Sequence, residues 1–123
     1  MDNISSGNLN TKESKLNKGW FIGHFIENNE FFKTQDFEVA WKVHKKGDKN
    51  ESIAKNKIAK TLSVLIKGKC LWTFPEKNNQ IILENEGDYI FWDSGIAHSW
   101  EILEDSTILT IRWPSINGDQ SGL

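Results

Sequence analysis

From Gly19 to Pro114 the chain is written in short apolar runs separated by turn residues, a pattern that excludes most architectures. Phe37, Val39, Trp41 and Val43 share one face of DFEVAWKVH, and Glu38, Ala40, Lys42 and His44 share the other. GWFIGHFIE predicts a first strand, and Lys46 to Asn50 predicts a turn around Gly47. ESIAKNKIAK reads as an exposed loop, whereas TLSVLIKG is a strong β run. Beyond it KCLWTF ends at PEKNN, QIILE at NEGD, YIFW at DSGIAH and SWEIL at EDS, and TILTIRW stops at Pro114. No stretch offers three clean helical turns, and no internal repeat is present. Short strands at this spacing predict an all-β antiparallel sandwich or barrel.

Residues 1–18 carry no apolar periodicity and are expected to form a flexible polar arm. Residues 19–114 then form the β-barrel domain, and 115–123 a loose C-terminal tail. A chain of 123 residues has room for one domain. Its net charge of −2, with no uniformly basic stretch, gives no footprint for nucleic acid. No apolar run is long enough for a membrane helix, and residues 1–18 lack the apolar segment of a signal peptide. A single cysteine, Cys70, leaves no internal disulfide, so a reducing cytoplasm is the default compartment. Cys70 shares a strand face with Trp72 and Phe74 and reads as a small buried hydrophobe. Six tryptophans and seven phenylalanines suit a β core and equally a small-molecule pocket.

The most informative segment is Gly87-Asp88-Tyr89-Ile90-Phe91-Trp92-Asp93-Ser94-Gly95-Ile96-Ala97-His98. Its two glycines permit tight turns at the ends of one strand, so that the next strand begins at His98. This segment resembles the second motif of the cupin family, with Asp93 where proline is usual. The resemblance covers roughly residues 37–114, and the ending Leu109-Thr110-Ile111-Arg112-Trp113-Pro114 looks like the closing strand of small stand-alone cupins. It implies a single jelly-roll barrel with an internal pocket, paired through its sheets as a homodimer. The family includes dioxygenases, isomerases, epimerases, sugar-binding regulators and storage proteins, so fold alone leaves the reaction open.

The first cupin motif, His-x-His followed by glutamate and glycine, is degenerate. Counting back from Gly68 places the glutamate position at Thr61 and the histidine positions at Ala54 and Asn56, or at Lys55 and Lys57. None of these is a usual ligand, and His98 alone remains of a three-histidine, one-carboxylate set. The family's metal is therefore expected to be absent, with no cofactor in its place.

Alternation puts His98, Trp100 and Ile102 on one inward face, with Thr61 and Ser63 inward on the strand that normally carries the glutamate. His98, Trp100, Thr61, Ser63 and Arg112 are the candidate ligand contacts for an unidentified small molecule. His98 is also the candidate catalytic base of a metal-free isomerase or epimerase. Its acid stays unnamed, since the direction of the Tyr89 and Asp93 face is open. Arg112, the one arginine against fourteen lysines, is expected to pair with Glu101 or Asp93 as scaffold, or else to clamp a carboxylate. His24 and His44 joining His98 in a rearranged metal site, and Lys55 and Lys57 at the pocket rim, are further possibilities; a solvated surface position is the simpler expectation for each.

Overall fold

The computed structural model describes residues 3–11 and 17–122. Among the described residues eight strands form: β1 (Trp20–Ile22), β2 (Glu38–His44), β3 (Ala54–Asn56), β4 (Lys60–Phe74), β5 (Asn79–Leu83), β6 (Tyr89–Trp92), β7 (Ser99–Trp113) and β8 (Gln120–Gly122). The one helical element described is a 3-10 turn, Pro75–Lys77, closed by Asn78 in the left-handed conformation. Every ladder is antiparallel. A six-stranded sheet runs β1-β2-β7-β4-β5 with β6 also on β4, and β3 pairs with β8 in a second, small sheet.

Two strands of fifteen residues, β4 and β7, organise the molecule. The sequence divides each into two runs, with a turn expected at EDS, yet the backbone continues through both. The break is taken up by bulges. Pairing between β4 and β7 shifts register between Leu65 and Cys70, and this moves the inward positions of β4 from Thr61, Ser63 and Leu65 to Cys70, Trp72 and Phe74. Gly68 sits in this bulge at φ 107°, where a Cβ would collide with the Asp105 carbonyl and with Ser106. Ser106 Oγ accepts from the Lys69 amide and donates back to main-chain oxygen, so a buried hydroxyl satisfies the interrupted ladder.

One part of the interior is apolar. Leu65, Cys70, Trp72, Phe74, Leu83, Ile90, Trp92, Ile102 and Ile108 cluster there, with Ile96 and Trp100 packed against them. Burying side chains of this size is worth roughly 1.5–3 kcal/mol each. The face expected to hold Cys70, Trp72 and Phe74 is thus in the core.

Three expectations are corrected. The first strand stops at Ile22, because Gly23 at φ 155° and a following turn end it. ESIAKNKIAK is not simply an exposed loop, since Ala54–Asn56 is strand and Asn56 and Ala59 are buried. Residues 115–123 are not a loose tail: Gln120–Gly122 pairs with β3, and Ser115 and Asp119 are buried. The Asp119 carboxylate accepts from the Ile58 and Ala59 amides and from Asn56 Nδ2, which fastens this segment to the loop. Within the expected arm, Asn10 accepts a 2.8 Å hydrogen bond from Trp41 Nε1. The remainder of the arm expectation falls in part on residues 1, 2 and 12–16, outside the described residues.

Candidate functional site

The inward faces of β2, β4, β6 and β7 stop being apolar toward Thr61, Arg112 and Trp92, and there the interior opens into a cavity of about 500 Å³. That volume is within the roughly 300–1,000 Å³ of small-molecule sites. His98, Trp100, Thr61, Ser63 and Arg112 all line it. Register explains the grouping. Thr61 stands opposite both Trp92 and Arg112, and Arg112 stands opposite Glu38, so one row of inward side chains crosses β6, β4, β7 and β2. The next row contains Ser63 and Thr110, whose hydroxyls are 2.9 Å apart.

His98 is buried, and its ring lies against Trp92 with centroids 4.5 Å apart. Its Nδ1 is 3.1 Å from the Ile96 carbonyl oxygen. A carbonyl only accepts, so Nδ1 carries the proton and Nε2 the lone pair. Burial, chiefly, lowers the His98 pKa below its ordinary 6.5, and the imidazole is neutral at pH 7. Trp100 presents its ring to His44 at 4.7 Å. His44 also lines the cavity, and desolvation followed by the Lys42 charge lowers its pKa, against the pull of Asp48 at 3.5 Å.

Arg112 pairs with neither Glu101 nor Asp93, both of which are exposed. Its partner is Glu38, at 3.4 Å from Nη1 to Oε2, because the two are register partners in adjacent strands. Glu38 also accepts from Ser115 Oγ at 2.9 Å, and Ser115 Oγ is 2.7 Å from His24 Nδ1. His24 thereby belongs to a latch on the far side of Glu38 and does not line the main cavity. Lys55 is ion-paired with Glu76 at 3.3 Å and Lys57 is exposed; neither lines the cavity. Tyr89 points outward and is 67% exposed, which removes it as an internal acid.

Sequence reasoning missed Lys18, Trp20, Lys42 and Trp92, which also line the cavity. The signal for Lys42 was present in the polar face of β2, which turns inward while Phe37 and Val43 stay exposed. Burial, then the charges of Arg112 and Lys18, bring the Lys42 pKa down to about 8.

Among the described residues no three His, Cys, Asp or Glu side chains gather as a metal-binding group. Ala54 pairs through its backbone with His98, but its methyl group offers no donor, and the Thr61 hydroxyl is a poor substitute for a carboxylate.

No family model matches the sequence, and no curated protein is similar to it in sequence. Solved structures are similar in shape. A conserved protein with a double-stranded β-helix domain from Klebsiella pneumoniae has a TM-score of 0.63 at 15% identity, over 72% of this chain and 71% of that one. A cupin protein from Bacteroides fragilis has a TM-score of 0.60 at 18% identity, over 80% of each chain. Oxalate decarboxylase from Bacillus subtilis, a protein with Mn(II) centres, has a TM-score of 0.58 at 21% identity, over 72% of this chain and 24% of that one. Identities this low report architecture, and the architecture agrees across these neighbours: this chain has the cupin fold, a double-stranded β-helix.

Proposed function

We propose that the protein is a small-molecule binder whose ligand occupies the cavity between β2, β4, β6 and β7, without the transition metal common to the fold. The observation that carries this reading is the convergence of His98, Trp100, Thr61, Ser63 and Arg112 on a single cavity of about 500 Å³. Flat indole faces supply apolar contact area, and a few fixed polar groups supply orientation. The donor set supports metal-free binding, since among the described residues the His98 and His44 imidazoles and the Glu51 carboxylate do not gather as a group that would hold a divalent ion against water and buffer. The free, buried Cys70 is compatible with a cytoplasmic location. A homodimer formed through the outer face of the large sheet completes the proposal, as that face exposes Val43, Tyr89 and Phe91.

A second reading, a metal-free isomerase or epimerase, is favoured by the state of His98. A neutral imidazole with a fixed tautomer and a free Nε2 lone pair is suited to take a proton from a substrate carbon. Lys42, with its pKa near 8, is a titratable group on the same cavity able to return one.

Native mass spectrometry of gently purified protein tests the binder: a retained small molecule with no stoichiometric metal is expected. One equivalent of iron, manganese, nickel or zinc that disappears in His98→Ala would overturn the metal-free reading. Once a ligand is in hand, His98→Gln separates the two readings. In a binder it changes affinity by less than about tenfold. In an isomerase it lowers turnover about a hundredfold or more while substrate still binds.

A further inference from the structure

The cavity is electrically unlike the chain around it. The protein as a whole carries −2, yet Lys18, Lys42 and Arg112 line the cavity against the single carboxylate of Glu51. Two of these cations share a neighbour. Lys42 Nζ lies 5.0 Å and Arg112 Cζ 4.6 Å from the centroid of the Trp20 ring, so one indole carries both. Glu38 compensates Arg112 from the neighbouring strand through Nη1 only.

Beside them is a shortage of acceptors. Arg112 Nε, Trp92 Nε1 and Thr61 Oγ1 are buried and make no hydrogen bond, and all three belong to the row that crosses β6, β4 and β7. An indole N–H and a guanidinium N–H only donate, and a hydroxyl donates as readily as it accepts. Leaving buried donors unmade is costly, so a row of three on one cavity wall marks a place for an acceptor that the protein itself does not provide. Trp72, Trp100 and Ile108 supply the apolar part of the wall, beside the polar side chains of Ser63, Thr110 and His98.

We propose that the ligand is a small carboxylate with a planar apolar body, its charge held between Lys42 and Arg112 and beside the unpartnered row of Thr61 and Trp92. This rests on the cavity being a small-molecule site and adds the chemical class of its occupant. A carboxylate fits better than a free phosphate, because Glu38 already offsets part of the positive charge and the tryptophans ask for apolar surface. A bound anion would also relieve the repulsion that Lys42 feels from Arg112 and Lys18. The groups that act on the Lys42 amine are those two cations, Glu38 on its own strand and, next along that strand, His44. Since a carboxylate favours the protonated amine, affinity should be full below about pH 8 and fall as pH rises through that value.

Calorimetric titration of the full chain with benzoate and phenylacetate, each beside its neutral amide, and with inorganic phosphate tests the proposal. At pH 7 at least one carboxylate should bind tenfold or more tightly than both its amide and phosphate. Lys42→Met and Thr61→Val should each weaken that carboxylate at least fivefold, Lys42→Met more than it weakens the amide, and raising the pH to 9.5 should weaken it in the parent and in Thr61→Val but not in Lys42→Met. Amides binding as well as carboxylates would overturn the carboxylate and leave the small-molecule cavity standing. Phosphate binding as tightly as the better carboxylate, or undiminished carboxylate affinity in Lys42→Met, would overturn it too. If no probe binds, the carboxylate assignment falls, and the native mass measurement judges the cavity separately.

Discussion

Glu38 and Arg112 face each other across β2 and β7 with Oε2 and Nη1 3.4 Å apart, their side chains 11% and 15% exposed. Burial lowers the Arg112 pKa, and Glu38, the largest opposing influence, raises it. Ser115 and, through it, His24 lean on the same carboxylate, so the pair ties three separate parts of the chain to one wall of the cavity.

Removing Glu38 leaves a buried guanidinium without its counter-charge. Glu38→Ala should cost about 3 kcal/mol, and the double replacement Glu38→Leu with Arg112→Met should recover most of it, as paired burial without charge often does. Urea unfolding of the two variants checks this. Equal losses in both would mean that packing, not charge, dominates the site.

Gly68 tolerates no side chain. Its φ of 107° is unfavourable for any other residue, and the Asp105 carbonyl and Ser106 occupy the space a methyl group would need. Gly68→Ala should lose about 2 kcal/mol or more, whereas Gly47→Ala, with positive φ but open space, should lose only about 1. Thermal melts of both variants decide whether the close approach adds to the backbone strain; similar losses would show that it does not.

Two histidines make stability depend on pH. Folding depresses the pKa of His98 and of His44 below 6.5, so the unfolded chain binds protons that the native state does not. Their contribution is fully present above about pH 7 and is lost as pH falls through 6.5 toward the folded values. The melting temperature should therefore drop between pH 7.5 and pH 5.5, and drop less in His98→Gln. A profile of the same depth in that variant would assign the effect to His44 or to other groups.

The outer face of the large sheet aligns Trp41, Leu109, Val64 and Tyr89 in one row and Val39, Ile111, Leu62 and Phe91 in the next. Phe91 is 46% exposed and its ring sits 6.1 Å from that of Trp113. If two copies pair on this face, Phe91→Glu should shift a dimer to a monomer in sedimentation velocity without lowering the melting temperature of the monomer. A parent protein that sediments as a monomer at tens of micromolar would remove the dimer.

Local chemistry was enough to define most of the strand content and much of the cavity. Gly87 and Gly95 both take positive φ on either side of β6, as the two tight turns require, and alternation alone brings His98 and Trp100 to one face and Thr61 and Ser63 to another. These features are short-range, set by the pleat and by which residues accept a left-handed backbone. The partner of Arg112 was decided otherwise, since Glu38 lies 74 positions away and only sheet register makes the two neighbours. The same holds for β8, three residues without a pattern that become a strand when Asp119 satisfies the Ile58 and Ala59 amides. Most telling is β2. Hydrophobicity by itself would bury Phe37, Trp41 and Val43, but the fold exposes Phe37 and Val43 and turns Glu38, Lys42 and His44 inward. An alternating strand has two faces, and its sequence does not say which one meets the interior. The neighbouring strands choose, and here they enclose a charged cavity in place of a dry core.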